Sequence, residues 1–182
     1  MNFPPTCWEY YQIDDIVKQA RALSPLEAVA FLEGKIKKSS GEKASALKAE
    51  LIYHLQKAKR YERSLKVGIS SLGEFMPLYG ECLKDALSNI SSSARFAKKE
   101  KVLLKELKVW LNSKEMPYEN REALLFEVGL LEFEVGSAKE GLRLMKKANE
   151  MCKKAGKSVC YEPEIEDMAY IIKESSKKWK GR

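Results

Sequence analysis

The side chains that could carry out catalysis or bind a metal are few in this sequence. His54 is its only histidine, so a Ser-His-Asp triad or a site of several histidine ligands would have one member at most. Most carboxylates are interleaved with lysines, as in KKEKVLLKELK and KESSKKWK, which is typical of solvated helix faces. Neither phosphate-binding glycine motif, G-x-x-x-x-G-K-[ST] or G-x-G-x-x-G, occurs. We therefore expect no enzyme, no catalytic residue, no metal and no cofactor, and we interpret His54 as a helical surface or groove residue.

The cysteines are Cys7, Cys82, Cys152 and Cys160, and no pair has the two-residue gap of a metal knuckle or a redox motif. Their apolar neighbours favour reduced thiols in the core, with a Cys152–Cys160 disulfide as the open alternative. The first residues lack the basic and apolar regions of a signal peptide. No apolar run approaches the roughly 20 residues that a membrane span requires. The sequence therefore predicts a cytoplasmic location without a membrane span.

Length and composition indicate a single globular domain over residues 1–182, since 45% of the residues are hydrophobic and 32% are charged. The formal net charge is +7. Residues 137–182 carry 12 Lys/Arg against 7 Asp/Glu, so most of the excess lies there. Such a charge serves solubility or favours acidic partners, including nucleic acid.

The elements that must position any site are helices. Three stretches, TCWE from Thr6, SPLE from Ser24 and SAKE from Ser137, fit the capping box that opens a helix. Between them apolar residues recur at helical spacing, and alternation typical of strands is almost absent. The sequence predicts an all-α fold of about nine helices, over 6–22, 25–38, 43–58, 61–74, 78–92, 95–112, 119–135, 138–155 and 163–179.

Several of these helices repeat with a regular phase. Corresponding positions in successive units are Ala28, Ser64, Lys99 and Gly141, separated by 36, 35 and 42 residues. The unit over 122–153 has small residues where two helices would cross, at Gly129, Gly141 and Ala148, and a glycine in the turn at Gly136. With these residues the sequence resembles the tetratricopeptide repeat family, whose helix–turn–helix unit is about 34 residues long.

The resemblance implies a superhelical array, or solenoid, of antiparallel helix hairpins. The hairpins would span roughly 6–40, 43–77, 78–112 and 119–155, closed by a capping helix over 163–179. Gly129, Gly141 and Ala148 would let two helices touch, and Gly136 would take a positive φ in the turn. Another kind of helical repeat and an unrelated helical bundle are the open alternatives.

In this family the first helices of the hairpins line a concave groove, so the resemblance implies a non-enzymatic scaffold that binds a peptide or helix of a partner protein. Family members that clamp acidic tails use asparagines where this chain has Tyr53, Ser88 and Leu130, which implies a more apolar ligand. An alternative for Leu130 and Phe133 is packing against the capping helix or a second copy of the chain. The groove positions are Ala49, Tyr53, Gln56 and Lys57, then Lys84, Ser88 and Ser91, then Phe126, Leu130, Phe133 and Glu134.

Two other functions stay open at this point. RNA binding would use a basic patch near the end of the chain, with Trp179 as the main stacking residue. Self-assembly into a homo-oligomer is the other. The basic patch consists of Arg143, Lys146, Lys147, Lys153, Lys154, Lys157, Lys177, Lys178, Lys180 and Arg182.

Overall fold

A computed structural model describes residues 6–78, 80–156, 161 and 164–170 of the chain. Within these ranges the regular structure is helical and no strand occurs, which confirms the all-α prediction. The chain forms two compact units, residues 1–99 and 100–182. The boundary between the units falls inside the hairpin predicted over 78–112. That the whole chain is one domain stays a prediction.

The helices follow one another with short connections. None of those in the described ranges is both long and apolar enough to cross a lipid bilayer. Unit 1 contains α1 (Cys7–Tyr10), α2 (Asp14–Ala22), α3 (Pro25–Ile36), α4 (Gly41–Lys57), α5 (Tyr61–Ser70), α6 (Leu72–Phe75) and α7 (Gly80–Ala97). Unit 2 contains α8 (Glu100–Leu111), a 3₁₀ helix (Tyr118–Asn120), α9 (Arg121–Val135) and α10 (Ala138–Lys154), and residues 164–170 are also helical.

The predicted capping boxes form to different extents. At α1 the Thr6 N–H donates to the Glu9 carboxylate at 2.8 Å, and the Glu9 N–H donates to Thr6 Oγ1 at 3.3 Å. At α10 only half of the box is present: Ser137 Oγ accepts from the Glu140 N–H at 3.3 Å, whereas the Glu140 carboxylate binds Arg143 instead. An arginine three residues further along the helix therefore takes the carboxylate that the second half of this box needs.

Three helix ends are closed by residues other than glycine in the left-handed region. Gln12, Lys59 and Lys98 have φ values of 53°, 58° and 57°. After each of them the next N–H reaches back five residues, a hydrogen bond typical of helix C-termini. The donor–acceptor pairs are Ile13 to Trp8, Arg60 to Leu55 and Lys99 to Ala94, all at 2.8 Å.

These ends change two predicted boundaries. The helix predicted over 6–22 is two helices, α1 and α2, separated at Gln12. The boundary predicted at 93–94 lies at Lys98, because α7 continues to Ala97. A third break, at Ser71, divides the helix predicted over 61–74 into α5 and α6.

In unit 1, α4 lies at the centre. It packs against α3, α5 and α7, while α3 also contacts α2 and α5 also contacts α7. Leu47, Ile52 and Leu55 of α4 are fully buried, and burial of each such side chain contributes about 1.5–3 kcal/mol. A Cβ atom on Gly68 would lie 2.5 Å from Ile90 Cγ1, so α5 and α7 approach closely because position 68 has no side chain.

A buried polar network joins the same three helices, α4, α5 and α7. Ser64 Oγ lies 3.1 Å from the Ile52 carbonyl oxygen and 2.7 Å from Ser93 Oγ. The Gln56 side-chain amide donates to Ser93 Oγ at 2.9 Å and also to the Asn89 carbonyl. These bonds satisfy polar groups that would otherwise be costly to bury, and they fix α4 and α5 against α7.

In unit 2, α9 packs against α8 and α10. A Cβ atom on Gly141 would lie 2.5 Å from the Phe133 backbone nitrogen and 2.6 Å from the Gly129 carbonyl oxygen. A Cβ atom on Gly129 would lie 2.7 Å from Met145 Cγ. Ala148, about one turn after Met145 on α10, is fully buried. The predicted close crossing of two helices at small residues is confirmed for this pair.

The prediction for Gly136 is wrong, because its φ is −125° rather than positive. A side chain at position 136 would instead overlap the Glu132 carboxylate. That carboxylate accepts from Lys108 Nζ and from the Ser137 N–H, the latter at 3.0 Å. The Lys108 hydrogen bond is the main cause that lowers the pKa of Glu132, and the Ser137 N–H adds to it. Glu132 therefore joins α8, α9 and the start of α10, and Gly136 leaves it room.

The end of unit 2 covers part of α9. The Tyr161 ring stacks on Phe126 with centroids 3.9 Å apart, and the Tyr161 N–H donates to Asn149 Oδ1 at 3.1 Å. Ile165 is buried. Residues 164–170 of the predicted capping helix 163–179 are helical, and the remainder of that prediction lies outside the described residues.

Candidate functional site

The candidate site is a cavity of about 260 Å³ in unit 1, which we call the Trp8 pocket. It includes Ala49 and Tyr53, two of the residues predicted to line a partner-binding groove. Side chains of α1, α2, α4 and α7 form its walls. The lining residues are Cys7, Trp8, Arg21, Ala46, Ala49, Glu50, Tyr53, Cys82, Asp85 and Asn89.

Helix α4 presents a single stripe to this pocket. Ala46, Ala49, Glu50 and Tyr53 are spaced three, four and seven residues apart, which places them on one face of a helix. The two alanines have short side chains and leave an open space above the helix, and the longer side chains around them enclose that space. The pocket therefore follows from small residues within a stripe that also carries a charge and an aromatic ring.

Arg21 is the central charged group of the pocket. Its guanidinium carbon lies 4.1 Å from the centroid of the Trp8 ring and 5.6 Å from that of Tyr53, within the range of cation–π attraction. Its Nε lies 3.3 Å from Glu50 Oε1. The Glu50 side chain is only 8% exposed, and a buried carboxylate of this kind requires a cation nearby.

His54 extends the same cluster. Its Nε2 lies 3.4 Å from Glu50 Oε1, one turn away on α4, and the residue is only 4% exposed. The interpretation of His54 as a surface or groove residue is therefore wrong. Its ring also meets the Tyr53 ring edge to face, with centroids 5.2 Å apart.

Asp85 carries the other carboxylate of the pocket, on α7. Although Asp85 as a residue is exposed, its surroundings remove part of the water around the carboxylate and so raise its pKa. The negative charges of Glu81 and Glu50 add to that shift, while Arg21 and Lys84 oppose it. Asp85 forms no hydrogen bond or ion pair with any residue in the described ranges. The pocket thus contains one ion pair, Arg21 with Glu50, and one carboxylate, Asp85, that forms no ion pair within the described part of the chain.

A disulfide between Cys7 and Cys82 holds α1 against α7, with 5.1 Å between the Cα atoms. The expectation of reduced thiols is wrong for these two residues. Because Trp8 follows Cys7 directly, the bond also fixes the aromatic wall of the pocket. Cys152 is buried and Cys160 lies outside the described residues. Disulfides persist mainly in oxidising compartments, and the cytoplasmic location stays a prediction.

The other groove positions predicted on α4 and α7 lie in different surroundings. Lys57 is exposed, with Nζ 5.3 Å from the Tyr53 ring centroid, and Gln56 is bonded to α7 as described above. Lys84 Nζ lies 3.5 Å from Glu81. Ser88 is exposed, whereas Ser91 is fully buried. The α7 residues that line the pocket are 82, 85 and 89 rather than the predicted 84, 88 and 91. Because a shift of one position rotates a helix face by about 100°, the predicted positions lie on a different face of α7.

The positions predicted on α9 belong to unit 2. Phe126 is only 8% exposed and lies under Tyr161, so its ring is covered by the chain itself. Leu130 and Phe133 are half-buried and Glu134 is exposed. Their role as groove residues stays a prediction.

The basic patch is described only in part. Arg143, Lys146, Lys147, Lys153 and Lys154 are exposed residues of α10. Arg143 pairs with Glu140 at 2.6 Å, which raises the pKa of Arg143 and lowers that of Glu140. The other predicted members, Lys157, Lys177, Lys178, Lys180 and Arg182, lie outside the described residues.

Sequence reasoning did not find Trp8, Arg21, Glu50, Asp85 and Asn89. In the continuous helix predicted over 6–22, Trp8 and Arg21 would lie about 20 Å apart. The break at Gln12 brings them into contact, and no glycine or proline marks that break. Once α4 is placed, however, Glu50 is recognisable, since it lies between Ala49 and Tyr53 on the same stripe.

No protein-family model, curated protein or solved structure matches this chain. The geometry of the Trp8 pocket is therefore the basis for a functional proposal.

Proposed function

We propose that this chain is a non-enzymatic scaffold that binds a peptide or helix segment of a partner protein, with the Trp8 pocket as the anchor point. The observation that carries the proposal is that Ala49 and Tyr53, two of the four groove positions predicted on α4, line the pocket. A partner side chain would enter between Trp8, Tyr53 and Asp85. Trp8 and Tyr53 are half-buried and Arg21 is exposed, and aromatic and arginine residues that become buried on binding supply most of the binding energy at protein interfaces.

The size of the pocket supports recognition of one side chain. Its volume of about 260 Å³ is slightly below the usual range for small-molecule sites, about 300–1,000 Å³. A large side chain of a bound segment fits such a volume, while the rest of the segment lies outside it. The charged groups Arg21 and Glu50 are already paired with each other at 3.3 Å.

The packing order in unit 1 supports the repeat-like architecture, which we also propose. Helices α2 and α3 pack together, α3 packs on α4, α4 on α5, and both α4 and α5 on α7. The first predicted hairpin thus contacts the second through α3 and α4, and the second contacts the start of the third through α4, α5 and α7. An array of hairpins buries its apolar faces between neighbours in this way. The first helices of successive hairpins, α2, α4 and α7, are the ones that meet at the Trp8 pocket.

Selection from a library of random peptides displayed on phage tests the proposal without knowledge of the natural partner. The immobilised full chain is compared with Tyr53→Ala and with Tyr118→Ala, a matched control because Tyr118 is 77% exposed on the 3₁₀ helix. We expect selected peptides to bind the wild type and Tyr118→Ala and to lose at least tenfold in affinity on Tyr53→Ala, about 1.4 kcal/mol. Peptides that bind Tyr53→Ala as well as the wild type would count against the Trp8 pocket.

RNA binding is a second candidate, favoured by one observation on α10. Lys146, Lys147 and Lys154 are exposed and form no ion pair with any residue in the described part of the chain. Phosphate contacts lose affinity steeply with salt. Binding to a single-stranded homopolymer that weakens by orders of magnitude from about 50 to 200 mM salt, and that Lys146→Glu with Lys147→Glu abolishes, would support this function over peptide recognition.

A further inference from the structure

A second concavity of unit 1 has a volume of about 730 Å³, and we call it the Phe96 groove. The start of α3, the connection between α4 and α5, and the end of α7 contribute its lining. Its apolar residues are Leu26, Val29, Leu55, Tyr61 and Phe96. None of them lines the Trp8 pocket, so the two surfaces are independent.

The groove has a buried apolar floor and an exposed apolar rim. Val29 is 5% exposed and Leu55 is fully buried, whereas Leu26 is 58% and Phe96 is 64% exposed. The rings of Tyr61 and Phe96 stack with centroids 4.6 Å apart, which fixes the orientation of Phe96. Exposed apolar side chains around a concavity mark an interaction surface, because covering them removes apolar area from water.

Some of the charges at this groove are already neutralised. Arg63 pairs with Glu33, and Lys99 Nζ lies 3.0 Å from Glu62 Oε1. These pairs tie α5 to α3 and to the short segment that follows α7. The net charge of the rim is therefore set by the groups that form no such pair.

The remaining charge at the rim is positive. Lys59 and Arg60 line the groove and are exposed, and neither forms an ion pair with a residue in the described ranges. The adjacent N-terminus of α5 has no side-chain cap, so its backbone N–H groups add positive partial charge. The groove therefore combines an apolar surface with a local excess of positive charge.

We propose that the Phe96 groove binds an acidic amphipathic helix of a partner protein, with apolar side chains covering Leu26 and Phe96 and carboxylates facing Lys59 and Arg60. An amphipathic helix presents apolar residues at positions i, i+3 and i+4 with charged residues on its flanks, which matches this combination. A second copy of this chain is a poor occupant, because each copy carries a net charge of +7 and the rims would repel.

The proposal is tested with two synthetic helical peptides that share the same stripe of leucine and phenylalanine. In one peptide the stripe is flanked by glutamates, and in the other it is flanked by lysines. Binding to the full chain is measured by fluorescence anisotropy. We expect the glutamate peptide to bind at least tenfold more tightly, Phe96→Ala to weaken it about tenfold, and Lys59→Glu with Arg60→Glu to reverse the preference. Val109→Ala, at a residue 63% exposed on α8, is the matched control and should leave the affinity unchanged.

Equal affinity for the two peptides, or unchanged affinity on Phe96→Ala, would overturn the proposal. So would light scattering that shows a wild-type dimer dissociated by Phe96→Ala, because a second copy would then be the occupant. Tyr53→Ala should leave the glutamate peptide bound as in the wild type. If it weakens that peptide instead, the peptide occupies the Trp8 pocket, and this inference fails while the proposed function stands.

Discussion

The crossing of α9 and α10 predicts that a single methyl group at position 141 destabilises unit 2. In Gly141→Ala the new Cβ would lie 2.5–2.8 Å from three backbone atoms of α9, whereas ordinary contact begins at 3.4 Å. Backbone atoms cannot move aside by a change of rotamer. The two helices must therefore separate by up to about 1 Å along their line of contact, a gap that forfeits a quarter to a half of each dispersion contact across it.

The magnitude follows from two opposing effects. Alanine in a helix interior is favoured over glycine by about 1 kcal/mol. Overpacking of a tight contact costs about 1–3 kcal/mol, occasionally more, and here Met145 and Ala148, both fully buried, would lose contacts as well. We expect the second effect to prevail, with a net loss of about 2 kcal/mol in the free energy of unfolding of unit 2.

Amide hydrogen exchange resolved by peptide measures this change for each unit separately. A loss of about 2 kcal/mol should accelerate exchange in α9 and α10 roughly 30-fold, with little change in α3 to α5. Gly34→Ala is the matched control, because Gly34 lies inside α3 and a Cβ there would meet no heavy atom within 4 Å. That variant should be more stable by about 0.5–1 kcal/mol. Wild-type exchange rates in Gly141→Ala would show that the helices do not cross at this residue.

Three further predictions concern stability. Replacing Cys7 and Cys82 by alanine should lower the free energy of unfolding of unit 1 by about 4 kcal/mol in urea, since the disulfide closes a loop with a separation of 75 residues; an unchanged midpoint would exclude the bond. The pKa of Glu132 is lowered in the fold, so its stabilisation is present above the unfolded value of about 4.5 and is lost as the pH falls through the lower folded value. Glu132→Gln should therefore lose less stability than the wild type in acid denaturation, and equal losses would contradict the assignment. Ser64→Ala removes a buried hydroxyl from its network and should cost about 1–2 kcal/mol in thermal unfolding, whereas Ser70→Ala, at an exposed residue of α5, should be nearly neutral.

The parts of the fold that sequence reasoning found are those with a local chemical signal. The capping box at Thr6 begins α1 because the Thr6 hydroxyl accepts from the Glu9 N–H and the Glu9 carboxylate accepts from the Thr6 N–H. Gly129 and Gly141 predict the α9–α10 crossing because only a missing side chain allows backbone contact. Ala49 and Tyr53 are expected at a groove from the resemblance to the repeat family, and both line the Trp8 pocket.

The parts that it missed lack such a signal. Gln12 and Lys98 end helices in a conformation that glycine usually takes, so nothing in their residue type marks a boundary. On α7 the predicted groove positions Lys84 and Ser88 each lie one residue before a residue that lines the pocket, Asp85 and Asn89, and one residue is about 100° around a helix. The pairing of Cys7 with Cys82 depends on tertiary structure across most of unit 1, and spacing alone cannot supply it.

The Cys7–Cys82 bond also makes residues 7–82 a covalent ring that contains every helix from α1 to the start of α7. The first helix therefore cannot separate from unit 1 without carrying the start of α7 with it. A protease that cuts one connection inside the ring leaves both fragments attached to each other. Such a nicked chain would run as a single species until a reductant is added.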